Sequence, residues 1–185
     1  VERIDITGNT TTIDRVIRNQ FKTVEGDPFN PRNIREASAR INALGFFEPI
    51  SVNTKAGSDE SKIVIDVKVK EVPTGSLTFG ASYGQSTGFG GNINISQRNF
   101  LGRGQRLSLS LDSSTKSRTY SLGFGEPNFL SNALSFDIDV FNTITNNQFS
   151  DYDTTSYGIT PSLTFPVSMN GKTSISYTFG GKGLI

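Results

Sequence analysis

Cysteine, histidine and tryptophan are absent from this 185-residue chain, and methionine occurs once. Without cysteine there is no disulfide and no thiolate chemistry, and the redox compartment stays open. Without histidine the commonest metal ligand and the commonest general base are gone. No apolar run approaches the roughly 18 residues of a helical membrane span. Strands that cross a membrane are not excluded by this, because their signature is only alternation in segments of about ten residues. No signal peptide is present, so an export signal is expected to have been removed or to lie upstream of Val1. The net charge is +1 and its Lys and Arg residues are dispersed, which predicts no nucleic-acid partner.

The charge that is present is unevenly placed. Asp, Glu, Lys and Arg number 22 in residues 1–74 and 13 in residues 75–185. Glycine runs the other way, 4 against 15, and so do Phe and Tyr together, again 4 against 15. A soluble second half needs a charged outer face. This one lacks it, which points to a membrane as its solvent.

Residues 1–74 carry the pattern of an α+β module. Val1-Glu-Arg-Ile-Asp-Ile6 alternates as a strand and meets a turn at Gly8-Asn9. Ile13, Val16, Ile17 and Phe21 recur at helical spacing, with Thr11 or Thr12 as N-cap and a break at Glu25-Gly26-Asp27-Pro28. A second helix opens with Asn30 as N-cap and Pro31 in its first position. It buries Ile34, Ala37, Ile41 and Leu44 and ends at Gly45. Phe46-Phe47 predicts a strand through Val52, and Ile63, Ile65, Val67 and Val69 predict the last one. The order is β-α-α-β-β, with sheet edges suited to β-augmentation by an extended peptide.

Residues 75–185 show seven alternating segments. Their apolar rows are Leu77, Phe79, Ala81 and Tyr83; Ile93 and Ile95; Leu107, Leu109 and Leu111; Tyr120, Leu122 and Phe124; Leu134, Phe136, Ile138 and Val140; Ile159, Leu163 and Phe165; and Ile175, Tyr177 and Phe179. A soluble β-sandwich alternates too. The intervening residues decide: small hydroxyls, Gly and Asn suit the crowded lumen side of a barrel, whereas a solvated face takes Lys, Glu and Arg. The connections at 99–104, 127–132 and 166–171 look compact, and 142–156 looks long and polar. Short turns belong to the periplasmic side of such barrels, which predicts that residues 1–74 are periplasmic. Asp137 and Asp139 share a strand face with no partner base, and lumen lining explains them. Gly88-Phe-Gly-Gly91 and Gly180-Gly-Lys-Gly183 lack the context of a nucleotide loop.

On these residues the chain resembles the BamA family of outer-membrane protein assembly factors. Ile6-Thr-Gly-Asn9, Val24-Glu-Gly26, Leu44-Gly-Phe-Phe47 and Val67-Lys-Val-Lys-Glu71 match the family's last, membrane-proximal POTRA domain. Gly75-Ser-Leu-Thr-Phe-Gly80, Gln97-Arg-Asn-Phe-Leu-Gly-Arg-Gly104, Glu126-Pro-Asn-Phe129, Ser156-Tyr-Gly158 and Phe165-Pro166 match the start of its barrel. The resemblance implies a POTRA domain over 1–74, followed by about seven antiparallel transmembrane strands over 75–185. This would be a fragment of a sixteen-stranded barrel.

It further implies an insertase rather than an enzyme, with no cofactor, in the bacterial outer membrane. The implied partners are accessory outer-membrane assembly lipoproteins, unfolded outer-membrane protein clients and outer-membrane lipid. Ser76, Leu77, Thr78, Phe79, Gly80, Ala81, Ser82 and Tyr83 match the lateral-gate strand, and Gly80 and Gly84 are suited to a seam that opens. Glu25 and Gly26 lie where the family's module faces a partner lipoprotein. Arg98, Asn99, Phe100, Leu101, Gly102, Arg103 and Gly104 match a periplasmic turn, with Arg98, Arg103 and Arg106 as interfacial anchors. Two alternatives remain open: a transporter of the same superfamily that secretes a dedicated partner, and a soluble POTRA-like binding module attached to a β-sandwich.

Overall fold

The computed structural model describes residues 1–85, 88–130, 134–146, 152–168 and 171–184. It divides into two compact units, Val1–Thr74 with Leu101–Gly104, and Gly75–Phe100 with Gln105–Ile185.

The first unit contains β1 (Arg3–Thr7), α1 (Asp14–Arg18), α2 (Pro31–Leu44), β2 (Asn53–Ala56) and β3 (Ile63–Lys68). Its sheet runs β1-β3-β2, with β1 parallel and β2 antiparallel to the central β3. Ile17, Ala37, Ile41, Ile65 and Val67 are fully buried between helices and sheet, ringed by Phe21, Phe46 and Phe47. α2 is bounded by its own sequence. Asn30 accepts a bond from the Arg32 amide at 3.0 Å, Pro31 fills the first position, and Gly45 takes the left-handed conformation at φ 66°.

Two local expectations fail. The first helix is capped by neither Thr11 nor Thr12: its N-cap is Ile13, without a side-chain bond. Beyond Arg18 the chain continues in single turns, Gln20 N–H to the Ile17 carbonyl and Phe21 N–H to the Arg18 carbonyl, both 3.0 Å. Residues 46–52 form no strand either. Phe46 and Phe47 are buried as core plugs, Phe47 makes one bridge to Glu71, and pairing begins only at Asn53. Both rings go to the core, and Pro49, with no N–H, cannot carry a ladder on from the single bridge at Phe47.

The second unit is an open antiparallel sheet. Its strands are β4 (Gly75–Gly84), β5 (Gly88–Phe100), β6 (Gln105–Ser114), β7 (Ser117–Glu126), β8 (Ser135–Thr145), β9 (Thr154–Pro166), β10 (Lys172–Ser176) and β11 (Phe179–Leu184), each paired with its sequence neighbour except that β10 and β11 both pair with β9. Register assigns the faces. Leu77, Ile95, Leu109, Leu122, Val140, Ile159 and Phe179 are successive cross-strand partners, an apolar row unbroken from β4 to β11. One residue along, Ser76, Ser96, Ser108, Gly123, Asp139 and Thr160 form the matching row on the other face. The apolar face is open: Leu77, Phe79, Ile93, Leu122, Val140 and Phe179 are all exposed.

An apolar area this continuous is far larger than a soluble monomer leaves uncovered, and it is the outer surface of a transmembrane sheet. No helix among the described residues is long and apolar enough to cross a membrane. Connection length does not distinguish the two ends of the sheet as the sequence suggested. β8 and β9 extend into the expected long loop and reduce it to 146–153, while the connections at 85–87 and 115–116 are short.

Candidate functional site

β4 is the edge of the sheet. All ten of its residues pair with β5, Gly75 opposite Gln97 through Gly84 opposite Gly88, and no other described strand takes its free side. The predicted gate residues Ser76, Leu77, Thr78, Phe79, Gly80, Ala81, Ser82 and Tyr83 all lie on this strand and are all exposed. Ser76 shares a hydroxyl bond with Ser96 at 2.8 Å, and the Tyr83 ring packs against Phe89 at 4.9 Å, tilted by 54°. Gly80 has a packing reason of its own: a Cβ there would sit 2.6 Å from the Asn92 amide oxygen, so the glycine makes room for that side chain.

In the first unit the two sheet edges differ. β2 is exposed along its whole length. The outer side of β1 is plugged by side chains. The Glu25 carboxylate accepts the Ile4 amide at 3.1 Å and pairs with the Arg18 guanidinium at 3.1 Å, and Arg18 donates to the Ile4 carbonyl at 2.9 Å. Both backbone groups that β1 turns outward at Ile4 are thereby satisfied, which is how a sheet edge is kept from pairing further. The Ile4 amide first, and Arg18 second, hold the Glu25 carboxyl below its ordinary value. Gly26 follows at φ 100° with open space around it, so the backbone conformation itself calls for glycine.

The predicted turn splits. Arg98, Asn99 and Phe100 end β5, and Asn99 is buried; the turn proper is Leu101–Gly104, with positive φ at Leu101, Gly102 and Gly104. These four residues belong to the first unit. The Gly102 carbonyl accepts the Ile13 amide at 2.9 Å, and a Cβ on Gly102 would overlap the Thr11 carbonyl. A Cβ on Gly104 would lie 3.5 Å from the Val16 side chain.

The loop that receives the turn is organised by Glu71. Its carboxylate accepts the Thr10 hydroxyl at 2.7 Å and the amides of Thr11 and Thr12 at 3.0 and 2.6 Å. Burial pushes Glu71 up, but the bonds from Thr12, Thr10 and Thr11 outweigh it and hold the carboxyl at about 2. Glu71 closes the stretch Val67–Glu71, and Arg18 ends the first helix. Nothing local marks either residue, because their partners are distant in the chain. On the polar face of the sheet, Arg106 pairs with Asp137 at 2.7 Å rather than standing free as an interfacial anchor. Gly123 and Gly125 lie opposite Asp139 and Asp137 and leave room for both carboxylates.

A module with helices on one face of a three-stranded sheet, followed by an open, lipid-type antiparallel sheet, defines a class: a POTRA domain joined to an Omp85-type barrel. Family models agree. Residues 1–71 match the POTRA model, described as a surface antigen variable number repeat, and residues 99–182 match the Omp85 superfamily domain. The outer membrane protein assembly factor BamA of Neorickettsia risticii is 31% identical over 141 residues, which are 76% of this chain and 19% of that protein.

The crystal structure of BamA from Haemophilus ducreyi lacking POTRA domains 1–3 superposes with a TM-score of 0.86 at 28% identity, covering all of this chain and 36% of that one. The chain belongs to the BamA family. Its sheet is that of an outer-membrane protein, and its first unit is a periplasmic POTRA domain. CdiB from Acinetobacter baumannii shares the fold at a TM-score of 0.67 and 16% identity. The chain spans between 19% and 30% of the lengths of the BamA relatives it matches.

Proposed function

We propose that this chain is part of an assembly factor that folds and inserts β-barrel proteins into the outer membrane, and that β4 is one side of its lateral gate. The observation that carries the reading is the edge position of β4, a ten-residue strand that pairs with β5 on one side and with no described strand on the other, at the rim of a membrane-facing sheet. Such an edge templates an incoming client strand by β-augmentation, with no nucleotide hydrolysis required. Outer-membrane lipid contacts the apolar face, and unfolded outer-membrane proteins are the clients. The test is a disulfide joining β4 to the last barrel strand of the full-length parent. Oxidation should abolish client insertion and reduction should restore it; insertion that persists under oxidation removes the gate.

Accessory assembly lipoproteins would dock on the POTRA domain at Glu25 and Gly26. Because Glu25 also clips β1, a Glu25→Lys exchange alone does not separate docking from local unfolding. Arg18→Ala removes the clip's other two bonds, to Glu25 and to the Ile4 carbonyl, and keeps the carboxylate. Docking through Glu25 predicts loss of lipoprotein binding in Glu25→Lys and retention in Arg18→Ala; equal loss in both reduces Glu25 to a structural residue. Arg98, Asn99, Phe100, Leu101, Gly102, Arg103 and Gly104 would form the first periplasmic connection, between β5 and β6. A superfamily transporter that secretes one dedicated partner is distinguished by the same gate experiment, since a sealed seam leaves passage through a lumen intact.

A further inference from the structure

β10 and β11 are one strand in two pieces. Lys172 faces Pro166, Ser176 faces Ser162, Phe179 faces Ile159 and Leu184 faces Thr154, a single antiparallel register from end to end. The division falls at Tyr177 and Thr178, opposite Pro161 and Thr160. There the Tyr177 amide donates to the Pro161 carbonyl at 3.1 Å. A pair of this kind in an antiparallel ladder normally exchanges two bonds, each residue donating to the other. Pro161 has no N–H to give back, so the Tyr177 carbonyl has no donor in the ladder.

Proline within sheets is confined to edges, strand starts and bulges. Pro161 has none of these excuses, since it sits in the middle of β9 and pairs on its other side with Ile138 of β8. Glycine recurs along the last strand above it: Gly180 faces Gly158, Gly183 faces Thr155, and Gly181 faces Tyr157, whose ring lies over it. What holds the two strands across the polar face is a pair of hydroxyl bonds, Thr160 to Thr178 at 2.9 Å and Thr164 to Ser174 at 2.7 Å.

We propose that Pro161 is a built-in opening point in the barrel wall: the seam between β9 and the following strand parts locally at Tyr177 and Thr178, and the pieces Lys172–Ser176 and Phe179–Leu184 move about it as separate segments. Water on the polar face serves the Tyr177 carbonyl when the seam parts. This weak point lies away from β4 and is independent of the gate proposed there.

Amide hydrogen exchange of the full-length parent in detergent micelles tests it. The Tyr177 and Phe179 amides should exchange faster than those of Thr173 and Ile175 in the same strand. Pro161→Val restores the missing donor and should slow Tyr177 and Phe179 about tenfold while leaving the amides of β7 unchanged. Pro161→Ala repeats the comparison without added side-chain bulk, in case valine disturbs the fold. Thr160→Val should speed exchange at Tyr177 in the proline-bearing chain and have little effect once position 161 carries an N–H. Equal exchange at Tyr177 with and without Pro161, or uniform exchange along the whole strand, overturns the proposal.

Discussion

A single carboxylate sets the conformation of the loop between β1 and α1. Glu71 takes one hydroxyl and two amides from Thr10, Thr11 and Thr12, the residues that lead into the Ile13 N-cap of α1. Replacing it with Gln should cost about 2 kcal/mol at neutral pH, the scale of a hydrogen bond to a charged acceptor. Its carboxyl is held at about 2 against an ordinary 4.5. A carboxyl depressed by folding stabilises fully above 4.5, and that contribution fades as pH falls toward 2. Glu2, Glu25, Glu36 and Asp66 are shifted in the same direction. Acid titration followed by exchange of the Ile17 and Ile41 amides should therefore show a fall for both proteins, shallower in Glu71→Gln, with the curves converging near the bottom of that range. Gly102→Ala addresses the other side of the loop. Its φ of 69° and the Thr11 carbonyl both oppose a Cβ, and about 1–3 kcal/mol should be lost from the first unit by the same readout.

Elements were legible in the sequence where their causes are local. Asn30, Pro31 and Gly45 bound α2 because capping uses atoms within a few residues, and Asn30→Ala should cost about 1 kcal/mol in thermal unfolding of the first unit. The seven membrane segments were legible because period-two alternation is intrinsic to a strand. Misreadings occurred where distant partners intervene. Thr11 and Thr12 look like caps, but their amides are taken by a residue about sixty positions away. Phe46 and Phe47 look like a strand start, but both rings fill the core beneath β3 and α2. The edge of β1 looked available for augmentation, and only the folded chain brings Glu25 and Arg18 to cover it. The last segment was legible as one strand, and it is one by register. Its interruption arises from Pro161, whose effect falls on the neighbouring strand rather than its own.

For the whole molecule, the decisive property is which solvent each face of the sheet meets. The row from Leu77 to Phe179 crosses every strand without a polar residue, and the row beside it carries only hydroxyls, glycine and Asp139. Leu122 and Ser121 are neighbours at the middle of β7, partnered by Leu109 and Ser110 respectively, so they sample the two faces at one depth. If the apolar face meets hydrocarbon, Leu122→Arg places a charge near the bilayer midplane and should cost about 2–4 kcal/mol. Ser121→Arg reaches the water-filled side and should cost less than about 1 kcal/mol, as surface substitutions do. Denaturant unfolding of the full-length parent in lipid vesicles measures both. A soluble sandwich makes a different forecast, because its inner face is the apolar one and the protein would fold to the same extent without lipid. The membrane assignment therefore fails if the chain is monomeric and folded in plain buffer, and it holds if folding requires lipid or detergent and arginine is penalised on the Leu122 face alone.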